Sequence, residues 1–119
     1  MDKKATSTSE MTPNVFPWGQ ITWLHGAAVS GSEELTVGEV IINPGMENPY
    51  HSHPNCEEVL FLISGELIHT HGDDEPYHMT PGMAIRASRN IKHNAKCISP
   101  EPARMVVSFS SAHRETANE

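Results

Sequence analysis

No stretch of twelve or more residues in this chain carries a helical repeat, and that alone removes most folds from consideration. The sequence is punctuated instead. Nine prolines and eight glycines are spread along 119 residues rather than clustered. Proline fixes φ and removes a backbone donor, and glycine permits reversals, so this spacing reads as many short strands joined by turns. Extended segments are predicted at 21–24, 35–43, 49–53, 58–64, 66–71, 76–80, 83–87, 93–98 and 104–110, with a loop at 25–34. Gly72-Asp73-Asp74 signals a hairpin. Short strands with regular turns predict an all-β sandwich or barrel. The length suits one domain and not two. We place it at residues 13–112, with a disordered polar tail at 1–12 and a frayed one at 113–119.

Charge narrows the partners. Eight Lys and Arg against fifteen Asp and Glu give a net charge of −7. Such a surface repels phosphate backbones and anionic lipid, so neither nucleic acid nor membrane is expected as a partner. The longest apolar run, 59–63, is far too short to span a bilayer. MDKKATSTSE has two lysines but no apolar core after them, so it does not read as a secretory signal, and the expected compartment is the cytoplasm. Cys56 and Cys97 do not make a disulfide framework and are expected to be free thiols.

Histidine is the compositional outlier. Of eight histidines, five (51, 53, 69, 71 and 78) fall in one short stretch. Histidine is the commonest protein metal ligand. His51-Ser52-His53 lies in an extended segment, where alternate side chains share a face, so both rings can reach one ion. That pair alone is weak, since two exposed histidines on an edge strand look the same in sequence.

The surroundings strengthen it. Gly45, His51, His53, Glu58 and Gly65 stand in the pattern Gly-x5-His-x-His-x4-Glu-x6-Gly. This resembles the first motif of the cupin superfamily, of the RmlC-like, small single-domain type, at every fixed position. The resemblance implies a double-stranded β-helix or jelly-roll barrel in which His51, His53 and Glu58 bind a metal. Glu57 is the competing carboxylate, but the spacing to Gly65 selects Glu58, and Glu57 has the opposite strand parity. The family's second motif, Gly-x5-Pro-x-Gly-x2-His-x3-Asn, is met by Gly82, Ser88, Asn90, His93 and Cys97. The glycine and the histidine are kept, and His93 is implied as the fourth ligand. Asn90 stands where the family has glycine, and Asn tolerates the left-handed turn that glycine usually fills.

Three imidazoles and one carboxylate make a borderline donor set for one divalent transition metal ion: Fe, Mn, Ni, Co, Cu or Zn. His69 and His71 share a face with Leu67, and with Tyr77 they are the candidate acid–base groups. Arg86 and Arg89 flank the second motif and are candidate carboxylate clamps, with solvated surface as the alternative. The resemblance implies a metal-dependent enzyme acting on a small polar metabolite held in the barrel, of dioxygenase, isomerase, lyase or decarboxylase class. The alternative is a non-catalytic ligand-binding or sensor cupin.

Parity along 58–64 carries one more expectation. Leu60 and Leu62 fall on the side of Glu58, which leaves Val59, Phe61 and Ile63 on the outer face. Either the first strands of the chain or a second subunit must cover that face, and a homodimer is expected.

Overall fold

The computed structural model describes residues 2–118. Eleven strands and one helical turn occur among them: β1 (Asn14–Phe16), β2 (Gly19–His25), α1 (Ala27–Ser30), β3 (Thr36–Ile42), β4 (His51–Ser52), β5 (Glu58–Ser64), β6 (Leu67–His71), β7 (Tyr77–Met79), β8 (Ala84–Ala87), β9 (His93–Cys97), β10 (Ala103–Phe109) and β11 (Ala117–Asn118). They form a six-stranded sheet in the order β1-β2-β3-β10-β5-β8 and a five-stranded sheet in the order β11-β4-β9-β6-β7. Every pairing is antiparallel. The fold is the expected all-β double-sheet barrel.

Strand periodicity decides what fills the barrel. Along β5, Glu58, Leu60 and Leu62 are buried while Val59 and Phe61 are exposed. β10 alternates in the same way, with Ala103, Met105, Val107 and Phe109 inside. From the opposite sheet Leu67, Met79, Ala95 and Cys97 complete the core. Cys56 and Cys97 are both buried and both free.

Two turns require their residues. Gly65 has φ +82°, and a Cβ there would sit 2.7 Å from the Ala103 Cα. Asn90 has φ 66° and is the non-glycine residue with positive φ among those described. The left-handed turn expected of Asn90 is present.

Both chain ends, expected to be loose, make hydrogen bonds to the body of the domain. Lys3 N–H donates to Ser30 O at 2.9 Å, and Thr6 Oγ1 donates to Leu24 O at 2.9 Å. At the other end β11 pairs with β4, and the Asn55 side chain bonds to the backbone of His113 and Glu115. Met1 and Glu119, the outermost residues of the two expected tails, lie outside the described residues. Three short elements, β1, α1 and β11, were not predicted. No helix among the described residues is long and apolar enough to cross a membrane.

Candidate metal centre

Both sheets contribute to one cluster at a mouth of the barrel. β4 supplies His51, and His53 follows two residues later on the same face, with ring centroids 4.9 Å apart. His93 opens β9 and is the direct ladder partner of His51, with centroids 4.4 Å apart. Glu58 opens β5 in the other sheet. The turn at Asn90 ties the pieces together, since its N–H donates to His53 O at 3.0 Å. One donor atom from each of His51, His53, Glu58 and His93 lies within 4.8 Å of all the others. Glu57 points outward and pairs with Arg86 at 2.9 Å on the surface, so Glu58 is the inward carboxylate, as parity predicted.

The ring nitrogens are assigned by their partners. His51 Nδ1 lies 2.6 Å from Pro49 O, His53 Nδ1 2.9 Å from Glu115 O, and His93 Nδ1 3.0 Å from Ile91 O. A carbonyl oxygen only accepts, so each Nδ1 carries the proton and donates. In the neutral rings the three Nε2 atoms are therefore bare lone pairs, turned toward one another and toward Glu58. His53 Nε2 and His93 Nε2 approach Glu58 Oε1 to 3.1 and 3.0 Å. His53 Nε2 nevertheless lacks an aligned hydrogen-bond partner and is buried. Neutral rings and an ionised carboxylate crowded this closely repel unless a cation sits among them. The donor set thus fits a metal ion, and each ligand ring is held by a backbone carbonyl as metal-binding histidines commonly are.

Electrostatics favour an ionised Glu58 and a neutral His51, while the carboxylate draws a proton toward His93 Nε2, the place a metal cation would take. Burial would raise the Glu58 carboxyl, but His53 and His93 against it reverse the effect and hold it at about 2. Burial lowers His51 to about 4, which favours its neutral, ligating form. Burial would also lower His93, yet the contact with Glu58 outweighs that and raises it.

The three candidate acid–base residues are placed differently. His69 is 2% exposed and stacks on His93 with centroids 5.7 Å apart. Its Nδ1 has no hydrogen-bond partner, and burial lowers it to about 4. His71 donates from Nδ1 to Asp74 at 3.1 Å and accepts from Ser88 N–H at Nε2, so both its nitrogens are occupied. Tyr77 is exposed and donates its hydroxyl to the same Asp74 carboxylate at 2.8 Å. None of the three, His69 included, lines the cavity described next, and Asp74 at the hairpin tip holds His71 and Tyr77.

A cavity of about 320 Å³ opens beside the cluster and reaches His51, His53 and Glu58. Its wall also includes Arg114 and Thr116, from the segment expected to be a frayed tail. Sequence reading missed both residues. The contacts that hold the segment, among them Asn55 with Glu115 and β11 with β4, are made to residues about 60 positions away in the chain.

The family profile of the Cupin domain matches residues 29–109, more than half of the chain. No curated protein matches it. Among solved structures, the oxalate decarboxylase of Lactobacillus farciminis in a formate complex superposes with a TM-score of 0.85 at 17% identity, over 92% of this chain and 34% of that one. Bacillus subtilis oxalate decarboxylase, described with Mn(II) centres, gives 0.85 at 20% identity, over 93% and 30%. A conserved protein with a double-stranded β-helix domain from Klebsiella pneumoniae gives 0.81 at 20%, over 98% of this chain and 97% of that one. The chain spans about a third of the decarboxylases' length, and at these identities the likeness is one of fold.

Proposed function

From the premise that this chain belongs to the cupin domain family, we propose that it is a metal-dependent enzyme in which His51, His53, Glu58 and His93 hold one divalent transition metal ion beside a small-molecule cavity. One observation carries the reading. Three Nε2 lone pairs and a carboxylate converge while every Nδ1 is tied to a carbonyl. Such a site supplies Lewis-acid or redox chemistry when an ion is bound. The protein's own part is orientation and exclusion of water. The three carbonyls fix the rings, Glu58 brings the negative charge, and the largely apolar cavity wall keeps bulk solvent from the ligand. Of the candidate acid–base residues, His69 is the one we retain, because it stacks on His93 and keeps Nδ1 unpartnered.

Manganese is the first ion to test, since Mn(II) is named for the Bacillus subtilis neighbour. Decarboxylase, dioxygenase, isomerase and lyase chemistry all remain open to this donor set. Elemental analysis of protein purified without added metal should find one transition metal ion per chain. Metal-loaded protein screened for O₂ uptake and CO₂ release should turn over a small substrate. Stoichiometric metal with ligand binding but no turnover would favour the non-catalytic ligand-binding or sensor reading, and absence of bound metal would remove the metal-dependent enzyme.

We also propose a homodimer. The two first strands do not fold over β5. They extend the sheet edge beyond β3 and leave Val59 and Phe61 in solvent.

A further inference from the structure

The metal cluster accounts for one end of the cavity only. The remainder of the wall is mostly apolar, with Trp18, Trp23, Leu60, Met105 and Phe109, and its neutral polar members are Asn48, Thr116 and Asn118. One charge is set into it. The Arg114 guanidinium carbon lies 4.1 Å from the centre of the Trp23 ring and 5.3 Å from that of Phe109. Its one hydrogen bond among the described residues runs from Nη1 to Thr116 Oγ1 at 2.6 Å, and no described carboxylate pairs with it. A guanidinium has five N–H donors, so most of its capacity is unspent. Contact with two rings tilted 58° to one another holds the group against the wall and leaves N–H donors that can bind an anion in two-point fashion. Burial also presses the group below its usual pKa, an effect that the Glu58 charge across the cavity only partly offsets, and an anion in direct contact would relieve more of that cost. Arginine set in an apolar wall selects a ligand with both characters. A dianion with no apolar body would leave the aromatic wall uncovered, and a neutral apolar molecule would leave the guanidinium unpaired.

We propose that the cavity binds a small amphipathic monocarboxylate, with its apolar body against Trp18, Trp23 and Phe109 and its carboxylate on Arg114. This sharpens the small polar metabolite expected from sequence and rests on the metal-dependent reading for the other end of the site. One guanidinium matches one negative charge, and the cavity volume lies at the lower end of the range for small-molecule sites.

Calorimetric titration of the full chain, metal-free and Mn²⁺-loaded, tests the proposal with octanoate, 1-octanol and malonate as probes. Octanoate should bind at least tenfold more tightly than malonate. Arg114→Gln should weaken octanoate at least tenfold while leaving 1-octanol within twofold, which also shows that the cavity is intact. Arg114→Lys should restore part of the loss. Malonate binding as tightly as octanoate would overturn the proposal. So would octanoate binding that Arg114→Gln leaves unchanged, or no octanoate binding at all. The two readings fail separately. Arg114-dependent octanoate binding by a protein that takes up no Mn²⁺ would sink the metal site alone, and stoichiometric Mn²⁺ without octanoate binding would sink the carboxylate site alone.

Discussion

At His53 the two ring nitrogens have separate tasks. Nδ1–H is anchored on Glu115 O, and Nε2 is left facing Glu58 at 3.1 Å without an aligned partner. Removing the ring removes a metal donor, so His53→Ala should lower metal affinity by at least about tenfold in competition against a chelator. Glu58→Gln should do the same, whereas Glu57→Gln, which breaks only the surface pair with Arg86, should leave affinity unchanged. Equal effects of the two substitutions would show that Glu58 is not the ligand. Asn90 makes a second residue-scale test. Its φ of 66° costs a residue with a Cβ roughly 1–2 kcal/mol. Asn tolerates this better than most residues, so Asn90→Ala should destabilise by about 1 kcal/mol in urea unfolding while Asn90→Gly is neutral or mildly stabilising.

At the scale of elements, β5 was legible over residues 58–62, and the period breaks at its end, where Ile63 is half-buried and Ser64 exposed. A period of two puts Glu58, Leu60 and Leu62 inside and Val59 and Phe61 outside, and the burial pattern follows it. The segment 113–118 was not legible. Its residues are polar, carry no alternation and follow the last apolar strand, which is how a solvated tail also reads. Its order comes from side chain–backbone bonds to Asn55, two residues of pairing with β4, and the His53–Glu115 contact. None of these leaves a local period. Truncation after Ala112 should therefore keep the β-rich circular dichroism spectrum but weaken metal binding about tenfold or more, because His53 loses its anchor. Unchanged affinity in the truncated chain would show that Glu115 O does not orient the ring.

At the scale of the whole molecule the open question is the outer face of the six-stranded sheet. Val59 is 42% and Phe61 44% exposed, and Phe61 lies in register with Val106 on the neighbouring strand. Each large apolar side chain left in water forgoes roughly 1.5–3 kcal/mol. The chain's own first strands are spent on the sheet edge and do not cover this face, which is the ground of the proposed dimer. Light scattering after size exclusion at micromolar protein should give twice 13.1 kDa. Phe61→Lys should return it to the monomer mass with the fold retained. A wild-type mass of 13.1 kDa throughout would rule the dimer out.

The sequence by itself determined the fold class, the inward face of β5 and the four converging side chains. The fold class and the inward face of β5 follow from turn residues and a period of two, patterns local in the chain, while the four ligands were implied by the resemblance of two motifs to those of the cupin family. Tertiary structure decided the rest. It sent His71 and Tyr77 to Asp74 instead of the cavity, stacked His69 on His93, and brought Arg114 from the far end of the chain onto Trp23 and Phe109. Those placements depend on which strands pair and which chain end closes over the mouth. Pairing across long sequence separations is set by the packing of the whole barrel, and no single segment encodes it.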